Sequence, residues 1–447
     1  MNGNQTLIAR TALSVIAGTI GVVAVSSPRL RALPRQSFDR LITIGLIVSR
    51  MATYIGVFLI LRLQPRGDIP AFYWDNATAI LRGLLPYRDF STSYAPLHPY
   101  LDALAIRLWH TPLSIILLAV CVEFLLLPIW LRLGRSFFSE HEIRTAALLY
   151  VTSAVSLQFV TIDGQDNVII ATLLALAVLL LHKNRALASG ATFGLSAVSF
   201  KFLPLVYAPL FFFSSVHRRW RWAAGLALPV GLIYGAFAAK HLAIFSPLTL
   251  EGSFKSAGDL PYLVEAVLGI TVPSRIWDTL TLAVLGVILA LVARVMQNGT
   301  PALRLRVLTF GMAALTLGII VFAKKSWPPY LMLALFPICL LIPAASKLKT
   351  IAFAFFGVIA VVSPSYWATV LHQFTALEFH QGLLAHQKSC LFFFAQQLLL
   401  ILGYIWLLIE SLRQILASSR AMDEVKRHPA HIGPSRLEPA TFVVAPT

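Results

Sequence analysis

Two short polar stretches interrupt an otherwise apolar chain, and both carry groups suited to proton transfer or phosphate binding. The first reads Arg66-Gly67-Asp68-Ile69-Pro70 and continues through Tyr73, Trp74 and Asp75. A carboxylate at a membrane boundary is able to accept the proton of a hydroxyl group that attacks a sugar, and nearby aromatic rings suit a sugar or an interfacial ligand. Asp75 lies roughly two helical turns after Asp68, so the two share a face if the helix begins early. The competing interpretation is a pair of solvated loop carboxylates beside an interfacial aromatic belt.

The second polar stretch is Asp163-Gly164-Gln165-Asp166-Asn167, at the start of the apolar run 167–182. Asp163 and Asp166 are candidates for binding a divalent ion or a sugar hydroxyl, or for sharing a proton between them. Simple Asp-Gly turn chemistry explains them as well. Gln165 and Asn167 are candidate hydrogen-bonding partners for a sugar or a phosphate.

Three lysines fall at the predicted outer face, against the usual excess of cations on the inner side, and they are Lys201, Lys324 and Lys325. An ammonium group is a suitable point charge for a phosphate. The alternative for Lys324 and Lys325 is a pair of solvated side chains at helix ends. Lys201 stands between two apolar runs, where an idle charge is costly.

Composition identifies the elements that must position these groups. The chain has 447 residues, of which 58% are hydrophobic and 12% are charged, and this excludes an ordinary soluble protein. The fold class that we predict is all-α: a polytopic membrane bundle of about 12–13 transmembrane helices, with an early outer loop that carries surface helices. The candidate spans are 9–25, 41–62, 111–131, 145–161, 167–182, 186–200, 202–216, 223–239, 276–296, 307–323, 328–345, 350–370 and 389–411.

Three regions follow from this pattern. Residues 1–40 hold one membrane helix and a basic inner loop, residues 41–416 form the embedded domain with its first outer loop at 64–110, and residues 417–447 form an inner tail that we expect to be disordered. Within the outer loop, 71–82 is predicted to be a helix that stops at Gly83, and 97–110 an amphipathic surface helix.

The basic residues predict the orientation. If 64–110 is outside and the sides alternate, the inner segments hold 22 Lys and Arg against 7 Asp and Glu, whereas the outer segments hold 13 against 11. Membrane topology therefore explains the net charge of +17, and no nucleic-acid partner is expected. The segments predicted to lie on the outer, non-cytoplasmic face of a cell membrane are then 64–110, 162–166, 240–275, 324–327 and 371–388.

Two features inside the apolar runs have their own interpretations. Arg50 and Glu123 lie within spans, where a charge is a functional hypothesis by default, and they are candidates to pair in the bundle. Alternatively, Arg50 lines a water-filled groove. The spacing of Gly190 and Gly194 is typical of close helix packing.

The ordered set of motifs resembles the GT-C glycosyltransferases, and among them the family 87 mannosyltransferases that use a polyprenol-phosphate-mannose donor. The resemblance rests on Gly67-Asp68, on 81–87 (Leu-Arg-Gly-Leu-Leu-Pro-Tyr), on 94–96 (Tyr-Ala-Pro), on 164–167 and on 201–204 (Lys-Phe-Leu-Pro) followed by the basic cluster 217–221. Residues 326–330 (Ser-Trp-Pro-Pro-Tyr) are a weaker match, because some relatives carry a histidine there that this chain lacks. The resemblance covers 65–220 well and the rest only by hydropathy.

The resemblance implies an inverting transfer of a hexose, mannose first, from a polyprenyl-phosphate-linked sugar donor to a lipid or glycan acceptor, within membrane lipids. It implies Asp68 as the general base and Lys201, Lys324 and Lys325 as the donor phosphate-binding cations. No metal or other cofactor is assigned. The sugar- or acceptor-binding candidates are Tyr73, Asp75, Tyr87, Asp89, Tyr94, Asp163, Gln165, Asp166, Asn167 and Tyr330.

A multi-pass transporter or lipid flippase is the alternative function. Such proteins also have many helices and a few intramembrane charges. They tend to contain repeated halves and helices interrupted near the midplane. No clear internal repeat is visible in this sequence, and its polar groups fall at the ends of the apolar runs, which favours the enzyme.

Overall fold

The computed structural model describes residues 3–240, 242–297 and 299–427, and in these ranges the chain is helical without a β-strand. The long apolar runs explain the helical structure. In lipid no water is available to the backbone, and a helix satisfies its backbone hydrogen bonds within one segment. The helices of the first half are α1 Gly3–Ser26, α2 Pro28–Ala32, α3 Arg35–Tyr54, α4 Trp74–Leu81, α5 His98–Leu108, α6 Leu113–Gly134, α7 Glu140–Val151, α8 Ala154–Thr161, α9 Asn167–His182 and α10 Ala186–Ser199.

The second half continues in the same way. Its helices are α11 Ala208–Ser214, α12 Arg219–Ala238, α13 Ser246–Ser253, α14 Leu260–Leu268, α15 Ser274–Gln297, α16 Pro301–Phe322, α17 Leu335–Cys339, α18 Lys347–Thr369, α19 Ala376–Leu384 and α20 Lys388–Arg427. Four further short segments are helical, with a backbone hydrogen-bond spacing that differs from that of an α-helix. Ile55–Ile60 and Ile69–Tyr73 are π-helical, and Leu203–Tyr207 and Pro328–Ala334 are 3₁₀-helical.

The long apolar helices identify the chain as a multi-pass integral membrane protein. Among the described residues, eight helices are long and apolar enough to cross a bilayer, and α7 with α8 makes a ninth candidate that bends by 48°. The other four predicted spans correspond to apolar helices of 10–17 residues. Full crossing takes about 20 residues. The predicted 12–13 spans therefore include four helices that are too short to cross a bilayer alone. An apolar run has the same composition whether it spans the lipid or packs inside the helical bundle, so composition does not separate the two cases.

The bend between α7 and α8 is held by the intramembrane charge pair. Arg50 Nε lies 3.1 Å from Glu123 Oε2, and both side chains are fully buried. Arg50 also donates to the carbonyl of Val151 at 2.9 Å and to Ser156 Oγ at 2.7 Å. The predicted pairing is confirmed, and the arginine satisfies the backbone where the helix breaks.

Helices α10 and α12 cross closely at small residues. A Cβ atom on Gly190 would collide with the backbone of Trp222, and one on Gly225 with the backbone of Leu187. The interpretation of Gly190 as a packing residue is confirmed.

The segments predicted to share the outer face contact one another. Ser256 Oγ donates to the carbonyl of Ser326 at 2.6 Å, and Tyr262 donates through its hydroxyl to the carbonyl of Phe374 at 3.0 Å. Gln165 reaches the first loop, as described below. These contacts agree with the prediction that the segments lie on one side of the bundle.

The predictions for the two surface helices of the first loop are confirmed, whereas the tail prediction was wrong in part. Helix α4 ends before Gly83, whose φ is +82°, and α5 covers most of 97–110. Helix α20 continues to Arg427, so 417–427 is helical, because these residues are good helix formers and the first proline is Pro429. The remaining tail, 428–447, lies outside the described residues.

Candidate active site at the outer loops

Asp68 stands at the start of a π-helical turn that leads into α4. Its side chain is half-buried, and Gly67 before it takes a left-handed conformation with φ +65°. The turn Ile69–Tyr73 has wider spacing than an α-helix, which changes the angle between residues seven positions apart. Asp75 is exposed in the first turn of α4, and the π-helical turn interrupts the α-helical spacing on which a shared face with Asp68 depends.

The turn 163–167 packs directly against this loop. Gly164 has a φ of +60°, and a Cβ atom there would lie 2.8 Å from side-chain atoms of both Ile69 and Ile116. Only glycine combines this backbone with so close an approach. As a result Gln165 reaches Asp68 and donates from Nε2 to Oδ2 at 3.0 Å.

The next residue of the turn holds the candidate cation. Lys201 Nζ lies 2.8 Å from Asp166 Oδ1, and Asp166 is buried while Lys201 keeps 16% of its side chain exposed. Burial alone would raise the pKa of Asp166, but Lys201 and then His98 hold it well below its ordinary value. Burial alone would lower the pKa of Lys201, but Asp166, with Tyr330 and Asp68, raises it above its ordinary value. Both groups are therefore charged at neutral pH.

Aromatic rings flank the ammonium group. Lys201 Nζ lies 5.4 Å from the ring centroid of Tyr94 and 5.9 Å from that of Tyr330. Tyr330 is brought here because Asn167 donates to the carbonyl of Pro329 at 3.4 Å. The late motif 326–330, the turn 163–167 and the first outer loop thus meet around one lysine.

No protein-family model matches this chain, and no curated protein matches it either.

The two remaining lysines do not join Asp166. Lys324 Nζ binds Asp278 Oδ2 at 2.8 Å, and Lys325 forms an ion pair with Glu251. The backbone carbonyl of Lys324 accepts a hydrogen bond from Ser256 at 3.0 Å. Each of these cations already has a carboxylate partner, on α15 for Lys324 and on α13 for Lys325.

The carboxylates of the second polar stretch have separate partners. Asp163 forms an ion pair with Arg10 on α1, whereas Asp166 binds Lys201. Arg10 also donates from Nε to Gln158 Oε1 at 2.8 Å. Asp163 and Asp166 thus each bind a cation, and the interpretation in which they share a proton between them does not describe this structure. Across the described residues, no group of three or more His, Cys, Asp or Glu is arranged to hold a metal ion.

Other predicted binding residues are placed in the walls of the first loop. Tyr87, with φ +67°, donates through its hydroxyl to the carbonyl of Tyr94 at 2.6 Å. Asp89 accepts from the backbone of Leu85 at 2.8 Å and pairs with Arg88, and these contacts lower its pKa. Tyr73 is buried, with its ring 5.1 Å from that of Tyr94. In this structure Tyr87 and Asp89 stabilise the loop, while Tyr73 supports the ring beside Lys201.

His98 and Asp102 also belong to the site, although neither was among the predicted site residues. His98 Nε2 lies 3.5 Å from Asp166 Oδ2, and His98 Nδ1 lies 3.2 Å from Asp102 Oδ2. The sequence showed only their i, i+4 spacing, which places the two side chains on one face of the predicted helix. That this face is buried was decided by packing, since Leu104 and Leu108 of the same helix are exposed.

Proposed function

We propose that this protein is a membrane glycosyltransferase that moves a hexose, mannose as first choice, from a polyprenyl-phosphate sugar to a lipid or glycan acceptor. One observation carries the proposal. Asp68 is held by Gln165, and the neighbouring Asp166 holds Lys201, so a carboxylate base and a phosphate-binding cation are joined by two consecutive residues of one turn. The positive-inside pattern supports a site on the non-cytoplasmic face of a cell membrane.

The arrangement suits an inverting displacement. The acceptor oxygen forms a bond to the anomeric carbon while the bond from that carbon to the phosphate oxygen breaks. Asp68 accepts the hydroxyl proton, and polyprenyl phosphate leaves with the electron pair. Lys201 has three N–H donors, of which Asp166 engages one, and the others are available to the departing phosphate. The rings of Tyr94 and Tyr330 offer apolar faces for the sugar.

The decisive experiment is a transfer assay with purified protein, a radiolabelled polyprenyl-phosphate sugar and a panel of lipid and glycan acceptors. Asp68→Asn keeps the size of the side chain and removes the base, so transfer should fall by about 100-fold or more while the protein stays folded. Glu378→Gln is the matched control, since this exposed outer carboxylate fills a capping box that glutamine also fills. Full activity in Asp68→Asn would remove the residue from the mechanism.

One observation favours a transporter or flippase as the second candidate. The bent pair α7 and α8 and four short apolar helices resemble interrupted transporter helices. However, the buried Arg50 at the bend binds Glu123, Ser156 and the carbonyl of Val151. Its charge therefore stabilises the helix packing, which argues against a role in binding a transported substrate. Substrate flux through proteoliposomes without sugar transfer would support the second candidate.

A further inference from the structure

A buried row of charged and titratable groups extends behind Lys201. It runs from Lys201 to Asp166, then to His98 and on to Asp102, with separations of 2.8, 3.5 and 3.2 Å. His98 is 1% exposed, Asp166 3% by side chain, and Asp102 4%. Three elements contribute to the row: the segment after α10, the turn before α9, and the surface helix α5.

The imidazole of His98 is fixed in position by rings on its faces and edges. Tyr94 stacks on it at 4.4 Å between centroids, with an interplanar angle of 17°. Tyr73 approaches at 4.8 Å and Phe200 at 5.7 Å, both edge to face. With its carbon atoms packed in this way, the ring keeps each of its two nitrogens within 3.5 Å of one carboxylate oxygen.

Backbone contacts tie the same helix to the lysine. The amide of Ala95 donates to the carbonyl of Phe200 at 3.0 Å, and the amide of Leu97 donates to the carbonyl of Val198 at 3.1 Å. Phe200 immediately precedes Lys201, and Leu97 immediately precedes His98. The two ends of the row are thus connected through both backbone and side chains.

We propose that His98 and Asp102 are positioning residues that orient Asp166 and, through it, direct the free N–H groups of Lys201 toward the phosphate of the donor lipid. The inference rests on the proposed function. A lysine is a flexible point charge, and the direction of its unused donors depends on where its partner carboxylate lies. Without the imidazole, the second carboxylate oxygen of Asp166 loses the group that lies 3.5 Å from it, and the carboxylate is free to turn away from Lys201.

The test compares His98→Gln and Asp102→Asn with His380→Gln. His380 is a matched control because it also sits in the outer loops, bound to the carbonyl of Ala266 at 2.9 Å, but contacts none of the row. Asp102→Asn keeps the size of the side chain and removes its carboxylate, so it remains informative if His98→Gln does not fold. We expect the donor KM to rise by about 10-fold in both variants, with the acceptor KM and the control unchanged.

A second measurement does not depend on turnover. The rate at which an amine-reactive reagent labels Lys201, followed by peptide mass spectrometry, should rise severalfold in both variants and stay unchanged in His380→Gln. Unchanged donor KM together with unchanged labelling overturns the positioning role. If the wild-type protein neither binds polyprenyl phosphate nor transfers sugar, the proposed function fails, and the labelling rates alone then decide whether His98 and Asp102 hold Lys201.

Discussion

Asp166 and Lys201 form a 2.8 Å ion pair although 35 positions separate them in the chain. The pair joins the turn before α9 to the segment after α10, at the end of the bundle where the predicted outer loops meet. Because both groups are mostly withdrawn from water, removing one leaves the other without compensation. This makes the pair testable as a unit.

A double-mutant cycle measures that coupling. Lys201→Met and Asp166→Asn should each destabilise the protein by up to about 3 kcal/mol, the partial exposure of Lys201 reducing the effect. The double variant should recover much of the loss, because no buried charge is left alone. Thermal unfolding of the four purified proteins in one detergent gives the comparison. Strictly additive losses would mean that the two groups do not interact.

The carboxyl group of Asp102 predicts a pH dependence. Burial raises its pKa from an ordinary value of 3.8 to about 7, while His98 opposes this rise and Asp166 adds to it. The folded state therefore binds this proton more tightly than the unfolded state, so the stability contribution is present at about pH 4 and is lost as the pH rises to about 7.

Asp102→Asn removes this titration. The melting temperature of the variant relative to the wild type should increase between about pH 4 and pH 7. Parallel melting curves for the two proteins across that window would contradict a raised pKa. Glu378→Gln serves as the control, since Glu378 is exposed and its capping contacts lower its pKa instead.

The intramembrane pair of Arg50 and Glu123 is expected to serve stability. Arg50→Met leaves Glu123 buried without a cation, which should cost about 3–5 kcal/mol. Adding Glu123→Leu removes the unpaired buried carboxylate, so the double variant should regain a large part of the decrease in melting temperature. If Arg50→Met melts like the wild type, the arginine does not hold the bend between α7 and α8.

The crossing of α10 and α12 offers a test of close packing. Gly190→Ala places a methyl group against the backbone of Trp222, so the helices must separate and the melting temperature should fall. Gly231→Ala on α12 is the matched control, because nothing lies within 4 Å of its added methyl group. That variant should be neutral or slightly stabilised, by at most about 1 kcal/mol. Equal behaviour of the two variants would contradict the packing role.

Local features of the chain were predicted well. The positions of the apolar helices, the stop at Gly83 and the surface helix α5 follow from composition and from residues a few positions apart. Errors arose where local composition is ambiguous. Four apolar runs form helices too short to cross a bilayer alone, and a π-helical turn lies between Asp68 and Asp75. Neither the length of a span nor a wide turn has a distinct signature in residue types.

From its amino acids alone this protein can be recognised as a multi-pass helical membrane protein whose polar loops gather at two opposite ends, because hydropathy and charge act over short stretches of chain. Packing between distant segments decided which polar groups meet. Asp68 is 97 positions from Gln165, and Arg10 is 153 positions from Asp163. Those partners are selected by helix crossing, by the approach that Gly164 permits and by burial, which compels each charge to find an opposite one.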